Sequence, residues 1–189
     1  VLLTSVLVIV ACAGPNTALY KPTLDDLTAQ APDSFLVDIQ TSEGAITVKM
    51  RRHWSPLAVD RVWHLVENNF YAGARFYRMI DGFVAQWGYS GEPVRDSVWR
   101  DYPLDDEPVI GSNLQGTVSF ARGGPSTRSF QLYINLADNE RLDVLASGGV
   151  VGYPPVGEIV EGVEVPMGFY GAYADRTPSQ DSIRVQGND

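Results

Sequence analysis

The sequence predicts a mainly β domain, an antiparallel barrel or sandwich capped by helices. Three observations carry that expectation. Short apolar runs recur along the chain, and 18 glycines and 12 prolines among 189 residues supply the turns that bound them. Only the segment after Ser55-Pro56 shows a sustained helical period. The chain is 44% apolar and 20% charged, which suits one sizeable core, and its length fits one domain with short flanks.

The elements follow in chain order. Residues 1–11 hold the apolar run "VLLTSVLVIV", too short to cross a bilayer as a mature helix, and read as the h-region of an export signal. The run ends in Ile9-Val10-Ala11-Cys12, which resembles the lipobox of bacterial lipoproteins. That resemblance implies a lipid on the Cys12 thiol; the alternative is an ordinary cleaved signal with an incidental cysteine. Residues 12–33 are rich in proline, threonine and aspartate without a period, and read as a tether of roughly 25 Å behind the anchor. The domain proper is assigned to 34–189.

Within it, "SFLVDIQTSEGAITVKM" (34–50) reads as a hairpin turning at Ser42-Glu43-Gly44. Ser55 is placed to cap a helix that starts at Pro56, and Val59, Val62, Trp63 and Val66 recur at helical spacing, which predicts a helix over 56–68. "RFYRMI" and "FVAQWG" read as short strands around Asp81-Gly82. Residues 88–108 are polar and turn-rich and read as a long surface loop. "GTVSFARG", "SFQLYINL" and "VGEIVEG" are further strands, and "GVEVPMGFYGAY" admits a short second helix with Pro166 in its first turn. "DRTPSQDSIRVQGND" reads as a polar tail.

Several functions are disfavoured. A net charge of −9 and a pI near 4.6 argue against a nucleic-acid surface. The lone Cys12 excludes an intrachain disulfide and a multi-cysteine metal site. His53 and His64 lack the spacing of a ligand pair, and "RGGPSTR" lacks the lysine and spacing of a phosphate loop. Asp105, Asp106 and Glu107 read as a solvated acidic loop. No metal or cofactor is expected.

"FYRMIDGFVAQWG" (76–88) and "GTVSFARGGPSTRSFQLYINL" (116–136), followed in order by "LD" at 142–143 and "VGEIVEG" at 156–162, resemble the signature segments of the cyclophilin-type peptidyl-prolyl cis-trans isomerases. The resemblance spans about 34–172. It implies a closed eight-stranded antiparallel barrel capped by two helices, with the last strand missing from this sequence. It implies catalysis of X-Pro rotation without a cofactor, by a monomer acting on proline-containing polypeptides. Residue by residue, it implies a catalytic Arg78 with Gln86 and Phe83. It places Val84, Tyr133, Leu142 and Tyr153 around a proline pocket, and Ala121, Arg122 and Gln131 along the substrate backbone. The chain departs from the family pattern at Tyr77, where histidine is usual, at Phe130 and Tyr133, and at Arg141, where many members carry tryptophan. That last change implies weak binding of cyclosporin-type macrocycles. The same letters also fit a weakly active binding or chaperone module. With the leader, the reading becomes an exported isomerase, periplasmic or at the cell surface, touching the membrane only through its lipid.

Overall fold

The computed structural model describes residues 17–169, 171 and 179–187. Cys12 and the apolar leader lie outside them. Along the described chain come α1 (Leu24–Thr28), β1 (Ser34–Thr41), β2 (Gly44–Arg51), α2 (Pro56–Glu67), β3 (Arg78–Ile80) and β4 (Val84–Trp87). There follow α3 (Pro93–Arg100), β5 (Thr117–Phe120), β6 (Leu132–Asn135), α4 (Arg141–Val144), β7 (Ala146–Ser147), β8 (Val150–Val151), β9 (Pro155–Glu161), α5 (Glu164–Met167) and α6 (Gln180–Gln186).

Seven strands form one antiparallel sheet in the order β1-β2-β9-β5-β6-β4-β3, and β7 pairs with β8 as a separate ribbon. Alternation decides which face each residue serves. Ile46, Val48 and Met50 of β2, Met79 of β3, Ala85 of β4, Val118 of β5 and Ile134 of β6 all point inward. They meet Ala58, Val59 and Val62 of α2 in the main core. The opposite phase of β3, β4 and β6 carries Arg78, Gln86 and Tyr133, brought side by side by the pairs Arg78↔Gln86 and Gln86↔Tyr133. The two outermost strands, β1 and β3, both line a cavity of about 670 Å³ that the main core leaves at one end of the sheet.

The predicted hairpin and the helix from Pro56 are present. Ser55 occupies the cap position of α2, but its hydroxyl does not cap the helix. Glu107 does so instead, accepting the Leu57 and Ala58 amides at 2.8 and 3.2 Å and the Ser55 hydroxyl. A carboxylate suits this place because the first amides of a helix lack partners and its dipole favours negative charge.

Three expectations are corrected. Residues 88–108 are not all loop, because Pro93 starts α3 and Trp99, fully buried, anchors it. From Thr17 onward the expected tether lies on the domain. Leu19 is 1% exposed and accepts the Trp99 indole N–H at 3.2 Å, while Thr23 and Asp26 form a capping box on α1. The expected polar tail contains α6, whose Ile183 joins Leu19, Leu65, Phe70, Tyr77, Tyr89, Trp99 and Phe130 in a second core. None, two and one residues are buried in α1, α3 and α6 respectively, one of the two in α3 being the acidic Asp96, so these short helices leave little apolar periodicity to read. A fourth expectation, the solvated acidic loop, is corrected in part: Asp105 stays exposed, but Asp106 pairs with Arg122 and Glu107 with Arg128, both cations with side chains 1% exposed.

Candidate active site

The outer face of β3, β4 and β6 leads into a third apolar cluster. It contains Val84, Tyr133 and Leu142, with Phe83, Ala121 and Tyr153 packed against it. Val84, Tyr133, Leu142 and Tyr153 were expected around the pocket, Phe83 beside the catalytic arginine and Ala121 along the substrate backbone, and four separate parts of the chain supply the six. Phe83 and Val84 follow the β3–β4 turn, Ala121 comes directly after β5, Tyr133 lies on β6, and Leu142 and Tyr153 flank the β7–β8 ribbon.

The floor of this cup is fixed from below by Asn113, fully buried, which sequence reasoning missed. Its Oδ1 accepts the Tyr133 hydroxyl at 3.1 Å, the Ser119 hydroxyl at 2.9 Å and the Asn135 amide at 3.1 Å. Its Nδ2 donates to Asp143 Oδ1 at 2.7 Å and to the Tyr153 carbonyl at 2.8 Å. One amide therefore ties the pocket floor to α4 and to the Tyr153 wall. Burial raises the Tyr133 phenol above its ordinary pKa of 10, so it stays a neutral donor.

Arg78 and Gln86 face one another across the β3–β4 pair, and Arg78 Nη1 donates to Gln86 Oε1 at 3.3 Å. Gln86 is 6% exposed; its Nε2 donates to the Tyr77 hydroxyl and, at 3.1 Å, to Gln131 Oε1. Gly88 lets this happen. Its φ is +142°, and a Cβ there would stand 2.5 Å from the Gln131 Cα, so any side chain would push Gln131 away.

Two expected residues sit differently from a simple groove lining. Arg122 turns inward, stacking 4.5 Å from the Tyr153 ring centroid, paired with Asp106 at 3.3 Å, and donating to the Val150 carbonyl. Its side chain thus braces the Tyr153 wall. Gln131 turns its amide toward Tyr77, Gln86 and Tyr89. At the rim, Arg141 lies 4.7 Å over the Phe83 ring.

Comparison with known proteins identifies the family to which the chain is similar. A family model described as cyclophilin type peptidyl-prolyl cis-trans isomerase/CLD matches residues 36–184. Peptidyl-prolyl cis-trans isomerase A of Dickeya dadantii is 33% identical over 150 residues, 76% of this chain and 77% of its own. A peptidyl-prolyl cis-trans isomerase of Acinetobacter baylyi is 30% identical over 141 residues, covering 74% and 73%. Among solved structures, a Cryptosporidium parvum cyclophilin-type isomerase superposes with TM-score 0.58 at 22% identity, covering 70% of this chain and 81% of that one. The same protein was also solved in the presence of the dipeptide Ala-Pro.

Proposed function

The chain belongs to the cyclophilin-type peptidyl-prolyl cis-trans isomerases, and from that premise we propose that Arg78 and the cup beside it perform the rotation. An X-Pro bond turns slowly because rotation breaks amide conjugation, at a barrier of about 18–20 kcal/mol. In the twisted transition state the prolyl nitrogen becomes pyramidal and regains a basic lone pair. A donor aimed there favours the transition state over the planar ground state, which is what catalysis requires. The observation that carries this reading is the juxtaposition of a fixed cation with an apolar cup. Arg78 is held by Gln86 on the face that continues through Val84 into the cluster of Phe83, Tyr133 and Leu142.

The cup grips the proline ring while the acyl side turns. Shortening tens of seconds to about a millisecond needs ~10⁴-fold, or roughly 5.5 kcal/mol. One preorganised charged donor plus orientation supplies energy of that order. The test is exchange NMR on an Ala-Pro peptide. Arg78→Ala is expected to lower kcat/KM by at least ~10²-fold, about 2.7 kcal/mol, with the fold intact. Equal activity in variant and parent refutes the assignment.

We also propose that the curved sheet is the family's closed eight-stranded barrel, a reading supported by β1 and β3 both bordering the apolar cavity. In the cell, the protein is proposed to act as a monomer on exported polypeptides, held by lipid on Cys12. The support is the apolar leader ending at that cysteine; several acyl chains give stable attachment where one is marginal. Because Thr17 onward is docked, the domain sits closer to the bilayer than a tether reaching to residue 33 allows. Fractionation after export, with Cys12→Ser beside the parent, tests the anchor. The parent is expected with membranes and the variant free; equal solubility of both refutes it.

A further inference from the structure

A hydrogen-bonded chain runs from Arg78 to α6, and its direction is set by its first member. A guanidinium can only donate, so Gln86 must turn Oε1 toward Arg78, at 3.3 Å. That orientation sends Gln86 Nε2 inward, where it donates to the Tyr77 hydroxyl. Tyr77 then donates to Gln131 Oε1, Gln131 Nε2 donates to the Tyr89 hydroxyl at 3.3 Å, and Tyr89 donates to Gln180 Oε1 at 3.3 Å. Arg184 of α6 adds its own N–H to Tyr89 at 3.3 Å. Every donor in the chain meets an acceptor. Tyr77, 8% exposed, is the link that both accepts from one glutamine and donates to the other.

We infer that Tyr77 is a positioning residue for catalysis: its hydroxyl holds Gln86, and through Gln86 it holds the guanidinium of Arg78 in place. Without that oxygen, Gln86 Nε2 loses one of its two acceptors and the amide is free to reverse, presenting a donor to a donor. Arg78 then loses its support on that side. The ring itself packs in the second core and is not needed for this role. Burial raises the Tyr77 phenol above its ordinary value, so the hydroxyl proton stays available to Gln131 at any working pH. Tyr71 makes a suitable comparison, since its hydroxyl bonds the Phe130 carbonyl at 2.8 Å and touches neither glutamine.

The inference rests on the isomerase reading of Arg78, and the experiment separates the two. Exchange NMR on an Ala-Pro peptide gives kcat and KM for the parent, Tyr77→Phe, Tyr71→Phe, Gln86→Leu and the Tyr77→Phe/Gln86→Leu double variant. Tyr77→Phe is expected to lower kcat about tenfold with KM within about twofold, because a misplaced donor costs transition-state binding and not substrate binding. Tyr71→Phe is expected to lose stability but not kcat. The double variant is expected to match Gln86→Leu alone, since two residues acting in one chain are not additive. An inactive parent overturns both the isomerase reading and this role. An active parent with an equally active Tyr77→Phe, or losses that multiply in the double variant, overturns the role alone. Should Tyr77→Phe fail to fold, the Gln86 side-chain amide protons of the parent decide. Slow exchange with solvent supports the link, and exchange at the free rate overturns it.

Discussion

Arg141 lies over the Phe83 ring at the rim of the cup. Its guanidinium covers the Phe83 face, the place where an indole would offer area and an N–H. Trp99 does not fill in, because it is fully buried in the second core. Cyclosporin-type macrocycles are therefore expected to bind weakly, and Arg141→Trp to tighten them at least about tenfold by calorimetric titration. Low-nanomolar binding by the parent contradicts this. The residues of this site were legible to different degrees. Arg78, Phe83, Gln86, Gln131, Tyr133 and Leu142 stand inside contiguous motifs, so their gathering followed from the resemblance. Asn113 and the linking role of Tyr77 did not, since their importance lies in hydrogen bonds to side chains on other elements, 6 to 54 positions away. Local patterns carry no trace of such partners.

At the level of elements, strands were readable and short helices were not. Two-residue alternation marks β2, and β4 and β6 stand out as short, largely apolar runs buried at every position. Helices α1, α3 and α6 are only five, eight and seven residues long, and α3 buries the acidic Asp96 beside Trp99, so apolar positions at 3.6-residue spacing have too little length to stand out. The N-terminal segment has the largest consequence. Leu19 fills a slot among Leu65, Phe70, Trp99 and Ile183. Leu19→Ala is expected to cost about 2–4 kcal/mol in urea unfolding while kcat/KM is unchanged, because Leu19 takes no part in the hydrogen bonds that hold Gln86 and Arg78. A loss below about 1 kcal/mol shows that the segment is only resting on the surface.

For the molecule as a whole, stability should depend on pH through His64. Burial against Trp99, with a contribution from Arg61, holds its pKa below the ordinary 6.5, although Asp26 opposes this. The unfolded chain then binds a proton near 6.5 that the folded chain refuses. This stabilisation is complete above 6.5 and is lost as pH falls toward the lowered folded value. Urea midpoints are expected to fall between pH 7 and pH 5, and His64→Gln to flatten that slope; an unchanged slope in the variant contradicts the assignment. The Glu107 cap on α2 carries a different consequence, for the order in which the chain assembles. The carboxylate reaches the Leu57 amide across 50 residues. Closing so long a loop costs entropy before any contact rewards it. The first turn of α2 is therefore expected to stay frayed on the nascent chain until β3, β4 and α3 have been made and the loop returns, which hydrogen exchange on the Leu57 and Ala58 amides during refolding would check. The longest helix in the described fold is completed at its beginning last, and the step that completes it draws the groove-bearing hairpin and the helical layer into one cooperative unit.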